Sequence, residues 1–459
     1  MKEYRIEHDS IGEKEVPADA YYGVQTLRAY ENFKISGKKV HPEFVKAIAE
    51  VKKAAAITNG EAGVIEKNVA EAMAKACDEI LAGKLKSAFI VDAIQGGAGT
   101  SLNMNANEVV ANRAIELLGG EKGDYSIVHP NDHANCGQST NDVFPSAGKI
   151  AVIRMIKKAI TALTGLRDAL VDKAKEFNDV IKMGRTEMQD AVPISFGQSF
   201  HAYASAFTRD IRRFNEAIKE LSSLNMGGTA IGTGITADKY YIERIVPNLC
   251  AVTGLPLTQA EDLVDATQNL DGFVYVSGII KSCATTLSKV ANDLRLMSSG
   301  PRVGFAEINL PPKQNGSSIM PGKINPVIPE VVNQIAFNII GNDTTVTLAA
   351  EAGQLELNAF EPIIFYCLFE SLETLTNGLN AFKKDCIEGI TVNVDNCEYE
   401  VEKSIGIVTA LCPYIGYTKA SQLAKKALKE KKNIREVLIE ENIVEKAQID
   451  KMLDPYKMI

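Results

Sequence analysis

The segment that decides the fold reads IPEVVNQIAFNIIGNDTTVTLAA and occupies residues 328–350. It carries almost no charge along its length, which is typical of a helix with little contact to water. Its amides, among them Asn333, Asn338 and Asn342, argue against a membrane span, because hydrocarbon would leave them without hydrogen-bond partners. The segment therefore predicts a helix that is buried within a soluble oligomer.

Helical spacing extends well outside this segment. Apolar residues step by three or four from Ile153 to Leu170, which predicts a helix over several turns. Between Asp262 and Leu296, apolar positions alternate with small residues on several faces, which indicates a helix packed on more than one side. We therefore predict a mainly α fold built around a bundle of long helices.

Composition divides the chain into three predicted domains. Residues 1–139 combine a short extended start with helices, residues 140–390 form the helical bundle, and residues 391–459 form a small helical domain with more charge. The lysine-rich run at residues 425–432, in the last of these, is typical of a solvated helix face.

The bulk composition excludes several classes of protein. The chain has 459 residues, 46% of them apolar and 24% charged, which is an ordinary globular balance. A net charge of −8 argues against binding to nucleic acid or to a membrane surface. The cysteines occur singly, without a CxxC pair. The sequence shows neither the pattern of a signal peptide nor that of a membrane span. We expect a cytoplasmic protein with reduced thiols.

Residues 316–326, which read GSSIMPGKINP, carry the strongest chemical signal. Glycine and proline prevent regular structure there, so the polar side chains belong to a loop. Ser317 and Ser318 can present an Oγ and backbone N–H groups to one ligand atom, and Lys323 with Asn325 can hold a carboxylate. A solvated surface turn is the alternative. The apolar segment that follows favours the functional interpretation, because it places the loop at a helix N-terminus, a natural anion site.

Four other segments have a similar polar character. Residues 96–101 form a Gly-rich turn before a helix but lack the lysine of a P-loop. Residues 139–141 offer three adjacent donors where the long helices begin, with a helix N-cap cluster as the alternative interpretation. Residues 184–190 combine a hydroxyl, a carboxylate and an amide. Residues 227–234 form a glycine–threonine turn that we interpret as structural.

These segments are rich in neutral donors and poor in ionisable groups. His129 and His133 are four residues apart without a third ligand nearby, which argues against a metal site. Such a set of donors suits the stabilisation of a carboxylate that gains negative charge, rather than covalent attack on it.

The five segments also resemble a known family. Residues 316–326 resemble the GSSxMPxKxNP signature of the aspartase/fumarase superfamily, and the segments around Thr100, Ser139 and Thr186 are similar to its other site motifs in the same order. Within the superfamily, AYYGVQTLRA at residues 20–29 resembles the aspartate ammonia-lyase branch more than the class II fumarases. The likeness extends from about Tyr4 to Ala420.

The resemblance implies a fold, an assembly and a reaction. The expected fold has three domains, and its long helices form the many-helix core of a homotetramer in which three subunits share each active site. The expected reaction is the reversible elimination of ammonia from L-aspartate to give fumarate. No cofactor is expected to be required, and no ligand set for an activating Mg²⁺ is legible in the sequence.

The resemblance also implies a role for each site residue. Ser317 is the expected general base, which removes the Cβ proton and leaves an enediolate. The expected substrate-binding residues hold the β-carboxylate (Thr100, Ser139, Thr140), the α-carboxylate (Lys323, Asn325 and the backbone N–H of Ser318) and the amino group (Asn141, Thr186).

Glu187 is the main departure from the family pattern, because fumarases have histidine there and many aspartases have glutamine or histidine. A carboxylate at this position leaves no fumarase-type His–Glu pair, and it can face the substrate ammonium. The alternative is a surface glutamate that points away from the substrate. Class II fumarase activity is the nearest rival function. Lyases of bulkier amines and a non-catalytic structural homologue are less favoured, the latter because Ser317, Lys323 and Asn325 are intact.

Overall fold

The computed structural model describes residues 3–459, and α-helices dominate this part of the chain. The helices are α1 (Val24–Asn32), α2 (Pro42–Glu61), α3 (Lys67–Leu81), α4 (Thr100–Leu117), α5 (Thr140–Glu176), α6 (Phe196–Leu221), α7 (Lys239–Thr253), α8 (Asp265–Gln268), α9 (Asp271–Met297), α10 (Val327–Glu351), α11 (Glu361–Asp385), α12 (Val394–Lys403), α13 (Cys412–Ile415), α14 (Tyr417–Glu430), α15 (Ile434–Glu441) and α16 (Lys446–Met452). The predicted mainly α fold is confirmed.

The strands in this part of the chain pair only in twos. They are β1 (Tyr4–Asp9), β2 (Gly12–Pro17), β3 (Ile181–Thr186), β4 (Gln189–Ser195), β5 (Ser223–Leu224), β6 (Thr258–Gln259), β7 (Ile308–Asn309) and β8 (Thr391–Val392). β1 with β2, β3 with β4 and β7 with β8 are antiparallel, and β5 with β6 is parallel.

The chain divides into two compact units. Of the described residues, unit 1 contains those up to Ile160, Arg212–Ser282 and Phe337–Leu375, and unit 2 contains Thr161–Ile211, Cys283–Ala336 and Thr376–Ile459. The division into three domains stays a prediction.

Unit 1 has a helical core centred on α2. Pro42 occupies the first turn of α2, where its missing N–H costs nothing, and the ring of His41 caps the helix by accepting from the backbone N–H of Glu43. α2 packs against α3, α4 and α7. A Cβ on Gly60 would lie 2.8 Å from the Cβ of Ala70, so glycine permits the close approach of α2 and α3.

Unit 2 has its own apolar core, which combines β3 with the helices of the carboxyl-terminal part of the chain. β3 packs against α12, and α14 packs against α15. Buried apolar residues of this core include Ile181, Met183, Val401, Leu411, Leu423, Val437 and Leu438. Lys425 and Lys429 on α14 are exposed, so the predicted solvated face at residues 425–432 is confirmed.

α10 matches the segment at residues 328–350, but the chain buries only one of its faces. Ile339 and Val346 are buried, whereas Phe337 and Leu348 are 63% and 62% exposed. Among the described residues, no helix is long and apolar enough to cross a membrane. The exposed face of α10 is uncharged from Val331 to Leu348, which is unusual for a helix face that meets water.

The prediction of one helix from Asp262 to Leu296 is wrong. The short α8 ends at Gln268, and α9 starts at Asp271. Asn269 between them is extended, with φ −97° and ψ 131°, so the helical hydrogen-bond pattern is interrupted. The apolar periodicity runs through this break, so periodicity alone did not reveal it.

Candidate active site

The N-terminal turns of α4 and α5 lie side by side in unit 1. Thr100 is the first residue of α4 and Thr140 is the first residue of α5. Asn103, one turn into α4, donates from Nδ2 to Oγ1 of Thr140 at 3.2 Å. Each helix N-terminus carries backbone N–H groups without helical partners and a partial positive charge. Two adjacent N-termini therefore favour an anion such as a carboxylate.

Ser139 caps α5, as the N-cap alternative predicted. Its Oγ accepts from the backbone N–H of Asn141 at 3.2 Å, and its own N–H donates to Oδ1 of Asp142 at 2.9 Å. The arrangement differs from a capping box in that the Ser139 oxygen accepts from the second helical N–H, that of Asn141, and the third residue is aspartate in place of glutamate. Because the Ser139 oxygen accepts in the cap, its hydroxyl proton is available to a ligand.

The amide of Asn141 has a fixed orientation. Its Nδ2 donates to the carbonyl of Ala230 at 2.7 Å, and its backbone carbonyl accepts from Nδ2 of Asn225 at 2.9 Å. The side-chain oxygen is thus the atom of Asn141 that can accept from a substrate ammonium.

The glycine–threonine turn at residues 227–234 supports this site. The buried carboxylate of Asp142 accepts from the N–H groups of Gly227 at 3.2 Å and Thr229 at 3.0 Å. A Cβ on Gly232 would lie 2.4 Å from Cα of Val264, so only glycine fits there. The structural interpretation of this turn is confirmed.

A buried polar cluster beneath these turns was not predicted. Lys52 is 2% exposed, and its Nζ donates to Oε1 of Gln138 at 2.8 Å and to Oδ1 of Asn135 at 3.0 Å. Burial lowers the pKa of Lys52 to about 7, and it raises the pKa of Asp142 to about 6. The sequence signal was the spacing of Asn103 and Asn107, since residues four apart share one helix face, although α4 carries further polar residues such as Asn105 and Asn112.

The loop at residues 316–326 lies in unit 2 directly before α10, as the sequence predicted. Its two ends are joined by hydrogen bonds of 2.8 Å from the N–H of Gly316 to the carbonyl of Lys323 and from Nδ2 of Asn325 to the carbonyl of Gly316. A Cβ on Gly316 would lie 2.4 Å from that Lys323 oxygen. Glycine therefore permits the closed base of the loop.

Ser317 lies within this loop and is half-buried. Its Oγ accepts from the N–H of Met320 at 3.0 Å and of Ile319 at 3.2 Å. Backbone donors of this kind stabilise a deprotonated oxygen more than a hydroxyl. The side chains of Ser318 and Lys323 are exposed.

The segment at residues 184–190 forms the end of a β-hairpin that we did not predict. Thr186 is the last residue of β3 and pairs with Gln189, which leaves Glu187 and Met188 as a two-residue turn. Their φ values are 52° and 65°, the left-handed pair of a type I′ turn. Asparagine and glycine usually occupy such turns, so Glu-Met gave no hairpin signal, and both residues adopt a strained conformation.

Arg185 holds the base of this hairpin within unit 2. Its guanidinium lies 2.6 Å from a carboxylate oxygen of Glu307 and 2.8 Å from one of Glu400, and it covers the ring of Phe305. Thr186 and Glu187, both exposed, line a cavity of about 810 Å³ beside these groups.

The predicted site residues thus fall into two sets. Unit 1 contains Thr100, Ser139, Thr140 and Asn141, and unit 2 contains Thr186, Glu187, Ser317, Ser318, Lys323 and Asn325. In residues 3–459, no group of three or more His, Cys, Asp or Glu side chains is arranged to hold a metal ion.

Two family models match the chain. One, described as Lyase, matches residues 12–341, and the other, described as Fumarase C C-terminus, matches residues 407–459. The chain is 50% identical to an aspartate ammonia-lyase of Bacillus subtilis, over 100% of this chain and 96% of the relative. It is 51% identical to an aspartate ammonia-lyase of Escherichia coli, over 97% of this chain and 94% of the relative.

Solved structures show the same similarity. A fumarate lyase:delta crystallin from Brucella melitensis bound to cobalt superposes with a TM-score of 0.97 and 48% identity, over 99% of both chains. A class II fumarase from Schistosoma mansoni superposes with a TM-score of 0.97 and 36% identity, also over 99% of both chains. These findings agree with the likeness of the sequence motifs.

Proposed function

The chain belongs to the aspartase/fumarase superfamily of lyases, and we propose that it eliminates ammonia from L-aspartate, reversibly, to give fumarate. The observation that carries this proposal is the identity of about half of all residues with aspartate ammonia-lyases from several bacteria over nearly the whole length. The class II fumarase from Schistosoma mansoni superposes with a TM-score of 0.97 but is less similar in sequence, at 36% identity.

We assign the β-carboxylate to the paired N-termini of α4 and α5. Removal of the Cβ proton converts this carboxylate into an enediolate with an additional negative charge. The hydroxyls of Thr100, Ser139 and Thr140, with the partial charges of two helix N-termini, stabilise that charge as it forms. Such donors lower the barrier because they bind the transition state more strongly than the substrate.

Ser317 is the proposed general base. A serine hydroxyl is a weak base, so its deprotonated form needs stabilisation by the surrounding groups. The N–H groups of Ile319 and Met320 already point at Oγ of Ser317, which supports this role. The oxygen takes the Cβ proton, and the electron pair of the C–H bond moves into the enediolate.

Lys323 and Asn325 are proposed to bind the α-carboxylate, with the backbone N–H of Ser318. The proposed contacts to the amino group are the side-chain oxygen of Asn141 and the hydroxyl of Thr186. They orient the C–N bond so that ammonia leaves as the enediolate collapses to fumarate. Each step uses groups of the chain itself, without a cofactor.

We also propose that the protein is a cytoplasmic homotetramer with active sites shared between three subunits. The uncharged face of α10 supports an assembly, because it exposes Phe337, Ile340 and Leu348 together. Gly341 on the same helix has open space where a Cβ would lie, which permits the close approach of another helix. Light scattering of the purified protein should give four times the mass of 49.7 kDa.

The test of the reaction is the ultraviolet absorbance of fumarate after mixing pure protein with L-aspartate and, separately, with L-malate. Fumarate from aspartate, with ammonia released in equal amount, is the expected result. Fumarate from malate alone would instead assign the chain to the fumarases, and no product from either would overturn the proposal.

A further inference from the structure

One side-chain oxygen, Oδ1 of the half-buried Asn135, accepts three hydrogen bonds in the polar cluster beneath Thr140. Oδ1 of Asn135 accepts from Nζ of Lys52 at 3.0 Å, from Nδ2 of Asn103 at 3.1 Å and from Nδ2 of Asn107 at 3.2 Å. Nδ2 of Asn135 donates to the carbonyl of Gln138 at 3.1 Å. Because donors surround the oxygen and a carbonyl faces the nitrogen, the orientation of this amide is determined.

Asn103 links the oriented amide of Asn135 to the hydroxyl of Thr140 by hydrogen bonds. Its Nδ2 has two hydrogens: one donates to Asn135, and the other donates to Oγ1 of Thr140 at 3.2 Å. Asn103 is 1% exposed and Thr140 is 9% exposed, so water does not easily replace this contact. Since the Thr140 oxygen accepts from Asn103, the hydroxyl proton of Thr140 must point to another acceptor.

We propose that Asn103 is a positioning residue, which orients the Thr140 hydroxyl as a hydrogen-bond donor to the substrate β-carboxylate. Asn135 holds the amide of Asn103 in place, and Lys52 holds Asn135. The inference rests on the proposed function, because the carboxylate that receives the proton is that of aspartate. A donor that is oriented before the reaction need not rotate as the enediolate charge develops, so Asn103 affects the transition state more than the bound substrate.

The chain provides a matched control for Asn103. Asn107 lies one turn further along α4, is equally buried and donates to the same oxygen of Asn135. Its other described contact is to Sδ of Met104 at 3.4 Å rather than to a hydroxyl of the site. Substitutions at the two positions therefore disturb the same polar cluster, but only the substitution of Asn103 removes the hydrogen bond to Oγ1 of Thr140.

The experiment compares Asn103→Ala with Asn107→Ala by steady-state kinetics on L-aspartate and by thermal melting. We expect similar losses of melting temperature. Asn103→Ala should lower kcat roughly 10-fold or more with little change of KM, and Asn107→Ala should change kcat less than about 3-fold, because each lost hydrogen bond has a modest effect unless it orients a reacting group. Equal effects on kcat would overturn the inference.

Asn103→Asp tests the direction of the hydrogen bond and nearly preserves volume. An ionised carboxylate at this position accepts from the Thr140 hydroxyl and withdraws its proton from the substrate, so kcat should fall further than in Asn103→Ala. Lower pH should partly restore it, because the protonated carboxyl can donate again. A kcat for Asn103→Asp above that of Asn103→Ala, or without recovery at low pH, would contradict the proposal.

The wild-type protein separates this inference from the proposed function. If it makes no fumarate from aspartate, the proposed function fails and this inference fails with it. If it makes fumarate while Asn103→Ala and Asn107→Ala behave alike, only the role of Asn103 is overturned.

Discussion

The two regions that carry most of the proposed site are built differently. In unit 1, Thr140 begins a long helix, is nearly buried and accepts a hydrogen bond from a residue of another helix. In unit 2, Ser317 lies in a loop whose described hydrogen bonds run between its own residues, and its neighbour Ile319 is 84% exposed. A hydrogen bond from another helix therefore holds Thr140, whereas the described hydrogen bonds that hold Ser317 are formed within its own loop.

This difference matches the two tasks that we assign. Groups that stabilise a developing charge are effective when they need not reorganise, and buried helix ends provide such groups. A base must approach a carbon atom after the substrate has bound, and loops are the elements that commonly make such movements. The comparison therefore predicts that substitutions in unit 1 affect both activity and stability, whereas substitutions in the loop affect activity alone.

Ser317→Ala should have the largest effect on activity. Loss of a general base typically lowers the rate about 10²–10⁴-fold, and we expect kcat on aspartate to fall within this range. The melting temperature and the oligomeric mass should not change, because the described hydrogen bonds of the Ser317 side chain are formed within its own loop. Ser318→Ala retains the backbone N–H that we assign to substrate binding, so its loss of kcat should be much smaller. The reverse order would remove Ser317 as the base.

Thr140→Val should lower both activity and stability. It removes one donor to the enediolate, which in comparable sites costs about 10²–10³-fold in kcat. It also leaves the buried amide of Asn103 without one acceptor, which costs about 1–3 kcal/mol of unfolding free energy. Urea denaturation measures the second effect. If Thr140→Val unfolds at the same urea concentration as Ser317→Ala, the contrast between the two regions does not hold.

Lys323→Ala should act mainly on substrate binding. A charge-assisted hydrogen bond to the α-carboxylate contributes about 1.5–3 kcal/mol, so KM for aspartate should rise roughly 10- to 100-fold with a smaller fall in kcat. Stability should not change, since the side chain is exposed. Unchanged kinetics would mean that other residues bind the α-carboxylate.

Glu187→Gln should have the smallest effect. It preserves the size of the side chain in the type I′ turn and removes only its charge. If the carboxylate faces the substrate ammonium across solvent, KM for aspartate should rise about 2- to 5-fold, as expected for an exposed ion pair. Met188→Gln alters the same turn without changing charge and serves as the control. Equal KM values for the two variants would support the alternative of a glutamate that points away.

Periodicity and local turn chemistry were sufficient to predict much of the fold. The helix predicted from the spacing of Ile153 to Leu170 lies within α5, and the nearly uncharged segment at residues 328–350 forms α10 close to its predicted bounds, because apolar spacing acts within a few turns. The motifs also predicted the loop before α10 and the cap of α5 at Ser139.

Contacts between distant segments were not predictable in the same way. Lys52 and Asn135 are more than eighty residues apart, and no local rule brings the ammonium of one to the amide of the other. The hairpin at residues 181–195 was missed because Glu187 and Met188 adopt left-handed conformations that their side chains disfavour. In both cases tertiary structure determines the local arrangement, and the sequence shows only the residues that take part.

The uncharged face of α10 has a consequence for the synthesis of the protein. A newly made chain presents Phe337 and Leu348 to the surrounding solution before any other copy is available. Such surfaces bind one another without selectivity when the concentration of partly assembled chains is high. For the homotetramer that we propose, the yield of functional protein should therefore depend on how fast subunits associate relative to chaperone capture and precipitation, and slower expression at lower temperature should favour correct assembly.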